Sequence, residues 1–348
     1  MSAPLITVVI STFNSAVYLQ ACLRQLLAQE ALLQCEVIVI DSGSEQDEHA
    51  VCSAMQSQFP SLRYERTPRE TIYAAWNRAL AIARGRYFVN VNADDSIHPH
   101  ALGLMALALD THTDCDLAYG DWLWADVPNA PYPWSDTFRR CVHGPYDPAT
   151  PLFYCFTGCT QFWRTARLRD IGGFNAARQA AGDYEAACAL IPRRWSAIYV
   201  PGPVAAYYQN PRGLSLSTKR SIREFREIRA AVRVALRISD VFAVDEDDAR
   251  ACAAGWLTLA QRALSLRVPW ATADTPDVKF ALACAKKALV LDPRNAQTRR
   301  AHDVIRGYQR GLLNRMFPRF RTGPPSQPLP ACEHVTPRVG GMVFTGQD

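Results

Sequence analysis

The sequence predicts an α/β fold, a mostly parallel sheet flanked by helices, followed by a C-terminal α-helical extension. Three observations carry this. Short β-branched apolar runs alternate with segments of helical spacing, each run ends on a polar turn, and from about residue 217 to 315 the text reads as a series of helices.

Residues 6–10 (ITVVI) and 37–40 (VIVI) are β-branched runs of the kind buried on both faces of a parallel sheet. Between them Tyr18, Leu19, Cys22, Leu23, Leu26 and Leu27 recur at helical spacing, giving a β-α-β unit. A second cycle follows, with a strand at 62–65, a helix at 72–83 closed by Arg84 and Gly85, and a strand at 87–91. Residues 121–154 are rich in Trp, Pro and Tyr without clear period and read as irregular loops that either shape an acceptor site or pack on the surface. Helices are expected at 217–238, 247–266, 277–291 and 295–312. The domain reading is 1–216 for the α/β part, 217–315 for the helical extension and 316–348 for a Pro- and Gly-rich disordered tail.

With 348 residues the chain is long enough for a full core. A net charge of +5, spread without blocks, gives no case for nucleic acid. Eleven cysteines show neither CxxC pairs nor zinc-type spacing, and Cys155 and Cys159 read as small hydrophobes rather than a redox or metal pair. Without a secretory signal or a run of about 18 apolar residues, the expectation is a reduced, cytoplasmic protein.

In open parallel sheets ligands sit beyond the carboxyl ends of the strands, and those ends carry residues 11–14, 41–44 and 92–95. The acidic turn Asn92, Ala93, Asp94, Asp95 admits two readings. It is a polar turn that caps a helix beginning near His98, or it holds Mg2+ or Mn2+ against a diphosphate. Asn92 and Asp94 project to one side of an extended segment, which sends Asp95 elsewhere.

Taken in order, these motifs resemble the family 2 glycosyltransferases, inverting enzymes with the GT-A fold, over about residues 4–217. The segment VVISTFN, with Thr12 and Asn14, looks like the family's opening strand and turn. Asp41, Ser42, Gly43, Ser44 looks like its second turn, with Ser42 in place of a second acid. The resemblance implies a nucleotide-sugar donor bound by Thr12, Asn14, Asp41, Ser42, Asn92 and Ala93. It implies a metal at Asp94 with Asp95 in support. ETIYAAWNRAL followed by Gly85 is similar to the segment before the acidic turn in members that act on polysaccharides or lipopolysaccharides, and there Asn77 and Arg78 are donor-contact candidates. A solvated helix surface is the competing reading for both. GGFN at 172–175 followed by Gly182, Asp183, Tyr184, Glu185 resembles the acceptor-side signature. Its match makes Asp183 the base, with Glu185 as the other candidate. Arg212 stands in a loop that resembles the end of the catalytic part, either clamping the diphosphate or forming a plain turn.

In 219–238 an apolar face (Ile222, Phe225, Ile228, Val232, Leu236) opposes Arg220, Arg223, Arg226, Arg229, Arg233 and Arg237. Such a helix lies on anionic lipid, suiting a lipid-linked glycan acceptor, or packs on the catalytic domain with its arginines solvated. ALACAKKALVLDPRN resembles part of one degenerate tetratricopeptide repeat, too little for a solenoid, and reads as a helical cap or oligomer contact. An inactive nucleotide-sugar-binding scaffold competes with the enzyme, motivated by the missing acids at Ser42, Asn92 and Gly182. A nucleotidyltransferase or dehydrogenase lacks its phosphate-cradling glycines here.

Overall fold

The computed structural model describes residues 4–146, 156–208 and 278–316, with scattered positions between 227 and 260. The chain divides into two compact units, Met1–Gly255 and Trp256–Asp348.

In the first unit, β1 (Ile6–Thr12), α1 (Ala16–Leu27), β2 (Cys35–Asp41), α2 (Glu48–Met55), β3 (Leu62–Arg66), α3 (Ile72–Ile82) and β4 (Tyr87–Asn90) follow the predicted alternation. The sheet runs β3-β2-β1-β4 with parallel pairings. Successive side chains of a strand point to opposite faces. Ile6, Val8 and Ile10 therefore pack with Leu19 and Leu23 of α1, while Val9 packs with Tyr73 and Trp76 of α3. Each large apolar side chain buried this way contributes roughly 1.5–3 kcal/mol.

Thr71 caps α3 by accepting from the Ala74 N–H at 3.2 Å. The turn that closes α3 fits only glycine, because a Cβ on Gly85 would lie 2.4 Å from the Thr7 nitrogen. Near the amino end of β2, Glu36 is fully buried. It accepts from the Thr7 hydroxyl at 2.7 Å and from the Arg84 backbone at 2.6 Å and side chain at 2.9 Å.

Past the acidic turn the sheet continues through β8 (Phe162–Arg164), β6 (Cys115–Ala125), β9 (Ser196–Tyr208) and β5 (Ser96–Ile97), with β7 (Arg139–Cys141) beside β6. The irregular stretch expected from residue 121 begins instead inside an 11-residue strand. β6 is held in a parallel ladder by β9, whose partner residues lie about 80 positions on, out of reach of any local pattern. Likewise, the helix expected at His98 starts later, as α4 (Ala101–Thr111), because Ser96 and Ile97 pair with β9.

The second unit contains helices Val278–Leu291 and Ala296–Met316, close to the predicted spans. Asn295 opens the latter by accepting from the Gln297 and Thr298 N–H groups at 2.9 and 3.2 Å. Ala281, Ala285 and Ala288 are fully buried. Arg212, the tail past 316 and nearly all of the basic segment 219–238 lie outside the described residues. Among the described residues no helix is long and apolar enough to cross a membrane.

Candidate active site

The rim of β1 and β2 is a cross-stitched pair of loops. The Asn14 side chain accepts from the Glu45 N–H at 2.7 Å, its own N–H donates to Ser44 Oγ at 2.9 Å, and its φ of 50° places it in the left-handed region. Ser42 and Thr12 are buried, and the Ser42 N–H donates to the Thr12 carbonyl at 3.0 Å. Asp41 has no exposed surface. It accepts from the Ser44 N–H (2.8 Å), the Tyr64 hydroxyl (2.6 Å) and Arg66 Nη1 (2.8 Å). Burial works to raise its carboxyl, but the bonds from Ser44 and Tyr64 and the Arg66 charge win and hold it below the usual range. Asp41 therefore braces the loop, and the base or ribose contact that the family resemblance implies for its side chain has no surface here. What this rim exposes is Phe13, 39% accessible, with the Arg69 guanidinium 3.6 Å from its ring centroid.

The acidic turn divides its two carboxylates. Asp95 is buried and accepts from the Tyr208 N–H at 2.8 Å and from the Asn92 amide at 2.7 Å. Burial, reinforced by the neighbouring Asp94 charge, pushes the Asp95 carboxyl well up. Asn92 thereby clamps Asp95 through its amide nitrogen, and it remains partly exposed. Asn129, in a left-handed conformation, ties the turn from outside. Its side chain donates to the Ala93 carbonyl at 2.8 Å, and its N–H donates to the Asp94 carbonyl at 2.8 Å.

Asp94 differs. It is half-buried, burial raises its carboxyl, and among the described residues no other residue donates to its side chain. No group of three His, Cys, Asp or Glu side chains able to cage a metal occurs among the described residues. A single unengaged carboxylate on a braced turn suits Mg2+ or Mn2+, which keeps waters and takes one or two carboxylates plus substrate phosphate oxygens.

Across the rim, the helix Gly182–Cys188 begins at the acceptor-side motif. Asp183 is half-buried, and its Oδ1 accepts from the Tyr73 hydroxyl at 3.0 Å. Burial and the Asp183 charge raise the Tyr73 phenol, keeping it a donor. Gln161 holds the Asp183 carbonyl at 2.9 Å and the Thr157 hydroxyl at 2.7 Å, and Trp163 orients Gln161 at 2.8 Å. Gly182 has a steric reason: a Cβ there would lie 2.8 Å from the Tyr73 ring. Glu185 is occupied, accepting from Asn175 at 3.0 Å and Arg178 Nε at 2.5 Å.

The donor-contact candidates on α3 are also engaged. Asn77 donates to the Phe174 carbonyl at 2.7 Å and accepts its N–H at 2.8 Å, pinning the Gly172–Gly173 turn; Arg78 pairs with Glu70 at 2.8 Å. The α3 residue that reaches the site is Tyr73, which together with Asn129 and Gln161 was not singled out from sequence. Tyr73 shares a helix face with Asn77 and Leu80, so period alone would have reached it.

A parallel nucleotide-type half joined to a mixed half, with distinct carboxylates on one rim, defines a sheet of GT-A type. The chain belongs to glycosyl transferase family 2, whose model matches residues 7–194. It is 29% identical over 123 residues to a PGL/p-HBAD biosynthesis glycosyltransferase of Mycobacterium bovis, covering 35% of this chain and 48% of that protein. It thus spans about half the length of these curated relatives. It is also 30% identical over 101 residues to the chondroitin synthase of Pasteurella multocida, 29% of this chain and 10% of that one. Among solved structures, S. aureus TarS 1-349 in complex with UDP-GlcNAc superposes with a TM-score of 0.56 at 15% identity, covering 88% of this chain and 92% of that one. The mannosyltransferase PcManGT from Pyrobaculum calidifontis, in complex with GDP-Man and Mn2+, gives 0.50 at 18% identity, covering 91% and 88%. At these identities the likeness is one of fold.

Proposed function

We propose that the protein transfers a sugar from a nucleotide-sugar donor to an acceptor hydroxyl with inversion, using Asp94 to hold a donor-bound divalent metal and Asp183 as base. The observation that carries this is the sorting of acids on the rim. Asp41, Asp95 and Glu185 are tied into protein networks and Asp94 accepts from no other described residue, while Asp183, at the start of its helix, is oriented by the Tyr73 hydroxyl and the Tyr184 N–H with its carbonyl held by Gln161.

A metal bound at Asp94 would neutralise charge on the departing diphosphate. Asp183 takes the proton of the acceptor hydroxyl as that oxygen attacks the anomeric carbon, and the bond to the diphosphate oxygen breaks with its electron pair leaving on the nucleoside diphosphate. Phe13 and Arg69 offer the base a stacking face and the phosphates a cation. The UDP-GlcNAc and GDP-Man bound to the structural relatives support a nucleotide-sugar donor, and the chondroitin synthase among the sequence relatives supports a glycan acceptor. Within 219–238, Glu227 is buried and bonded to the backbone of residues 179–181, which supports packing of this segment on the catalytic domain; sedimentation with anionic vesicles tests the lipid-contact alternative.

The inactive scaffold is the weaker alternative, because two of the three missing acids have a structural account in Asn92 and Gly182. A panel of UDP-, GDP- and dTDP-sugars with Mn2+ tests the choice. Turnover lost in Asp94→Ala and Asp183→Asn variants that still fold supports the enzyme; nucleotide-sugar binding with no turnover in the wild type supports the scaffold.

A further inference from the structure

The helix that carries Asp183 starts without a side chain to cap it. Its N-cap is Ala181, whose side chain makes no cap bond, and within the first turn the Tyr184 N–H donates to Asp183 Oδ1 at 2.9 Å. The donors just ahead of the helix are instead collected by a residue 46 positions further along the chain. Glu227 is buried, at 7% exposure. Its Oε1 accepts from the Gln179 N–H at 3.0 Å, and its Oε2 accepts from the Ala180 N–H at 2.9 Å and the Ala181 N–H at 2.8 Å.

Three charge-assisted bonds to consecutive backbone N–H groups fix the path of residues 179–181. That path ends two residues before Asp183. From the other side Gln161 fixes the Asp183 carbonyl, and Gly182 admits only the close approach to Tyr73. Glu227 is the one member of this set that comes from beyond the sheet strands, in the segment after β9. Its carboxylate also lies at the positive end of the helix, where a negative charge is favoured.

We infer that Glu227 is a positioning residue for the base, joining the segment after the sheet to the start of the Asp183 helix so that the carboxylate holds its attack geometry. The inference rests on the reading of Asp183 as base. Glu227 does not touch substrate; it acts through the backbone of residues 179–181. Because donor binding lies with the loops of β1 and β2 and with Asp94, loss of Glu227 lowers turnover and leaves donor binding intact.

The test is steady-state turnover of the most active nucleotide sugar by the full-length chain, with Glu227→Ala, Glu227→Gln and Asp183→Asn compared with wild type. Thermal unfolding and Mn2+-dependent nucleoside diphosphate binding are measured on each. A misplacement on the order of 1 Å costs about 100-fold, so Glu227→Ala is expected to lose roughly that in kcat with donor KM within about twofold. Glu227→Gln keeps an amide oxygen for the Ala180 and Ala181 N–H groups and is expected to recover most of the loss. Glu227→Ala with wild-type kcat, alongside an inactive Asp183→Asn, overturns the inference while leaving the base assignment intact. An active Asp183→Asn overturns the base assignment, and the inference with it. If Glu227→Ala fails to fold, Glu227→Asp decides, because its carboxylate is one methylene short of the Gln179, Ala180 and Ala181 N–H groups: a lowered kcat at unchanged unfolding temperature and donor KM supports positioning, and an unchanged kcat overturns it.

Discussion

The loop after β2 and the turn after β4 flank β1 on the same rim, and both present an aspartate where a family 2 sequence pattern places one. Asp41 is sealed and bonded to Ser44, Tyr64 and Arg66, whereas Asp94 is half-buried with no donor from another residue among those described. The two acids are alike in motif and opposite in environment. Partners and accessibility, rather than charge or position, separate a carboxylate that holds a loop from one left for a ligand.

The comparison breaks most sharply in activity. Asp94→Asn is expected to lower sugar transfer by at least about 100-fold with unfolding stability within about 0.5 kcal/mol of wild type. Asp183→Asn is expected to lose about 100- to 10,000-fold in kcat, and Glu185→Gln far less, since Glu185 is committed to Arg178. Steady-state rates on purified variants check all three.

Stability should move in the opposite sense. Asp41→Ala strands buried donors and is expected to cost about 2–4 kcal/mol by denaturant unfolding, while turnover per folded molecule falls much less than in Asp94→Asn. Acid sharpens this further. The Asp41 carboxyl is held low in the folded state, so the unfolded chain binds its proton first as pH falls. Its stabilisation is present above the unfolded value of about 3.9 and is lost as pH drops through the folded value. Glu36, also held low by Thr7 and Arg84 against its burial, adds to the same slope. Unfolding free energy below pH 4 should therefore fall less steeply in Asp41→Asn than in wild type.

Smaller effects test the rest of the rim. Phe13→Ala is expected to raise donor KM by about 5- to 150-fold, since a base–aromatic stack is worth about 1–3 kcal/mol, with kcat little changed. Arg78→Ala, which breaks a half-exposed ion pair with Glu70, should change stability by less than about 1 kcal/mol and donor KM not at all. A large KM effect at Arg78 would restore the donor contact expected of it.

Local chemistry explains what the sequence made legible. β1 to β4 are apolar runs separated by amphipathic helices and glycine or polar turns, and each can be read within a window of a dozen residues. β6 and β9 pair across about 80 residues, and their Trp- and Pro-rich text carries no local period. The same limit governs the site. That Asp94 follows a strand and Asp183 stands in the first turn of a helix was readable in order along the chain. That Asp41 meets Tyr64 and Arg66, that Asn77 meets the Phe174 backbone and that Asn92 meets Asp95 depends on which polar groups the fold brings together. A polar residue in a motif has a defined type but not a defined partner until the neighbouring strand is in place.

The most direct measurement is the unfolding temperature of wild type, Asp94→Asn and Asp41→Asn with UDP or GDP, each with and without Mn2+. A Mn2+-dependent rise in wild type and Asp41→Asn, absent in Asp94→Asn, is the predicted result. The same rise retained in Asp94→Asn would contradict the assignment of Asp94 as the residue that holds the metal.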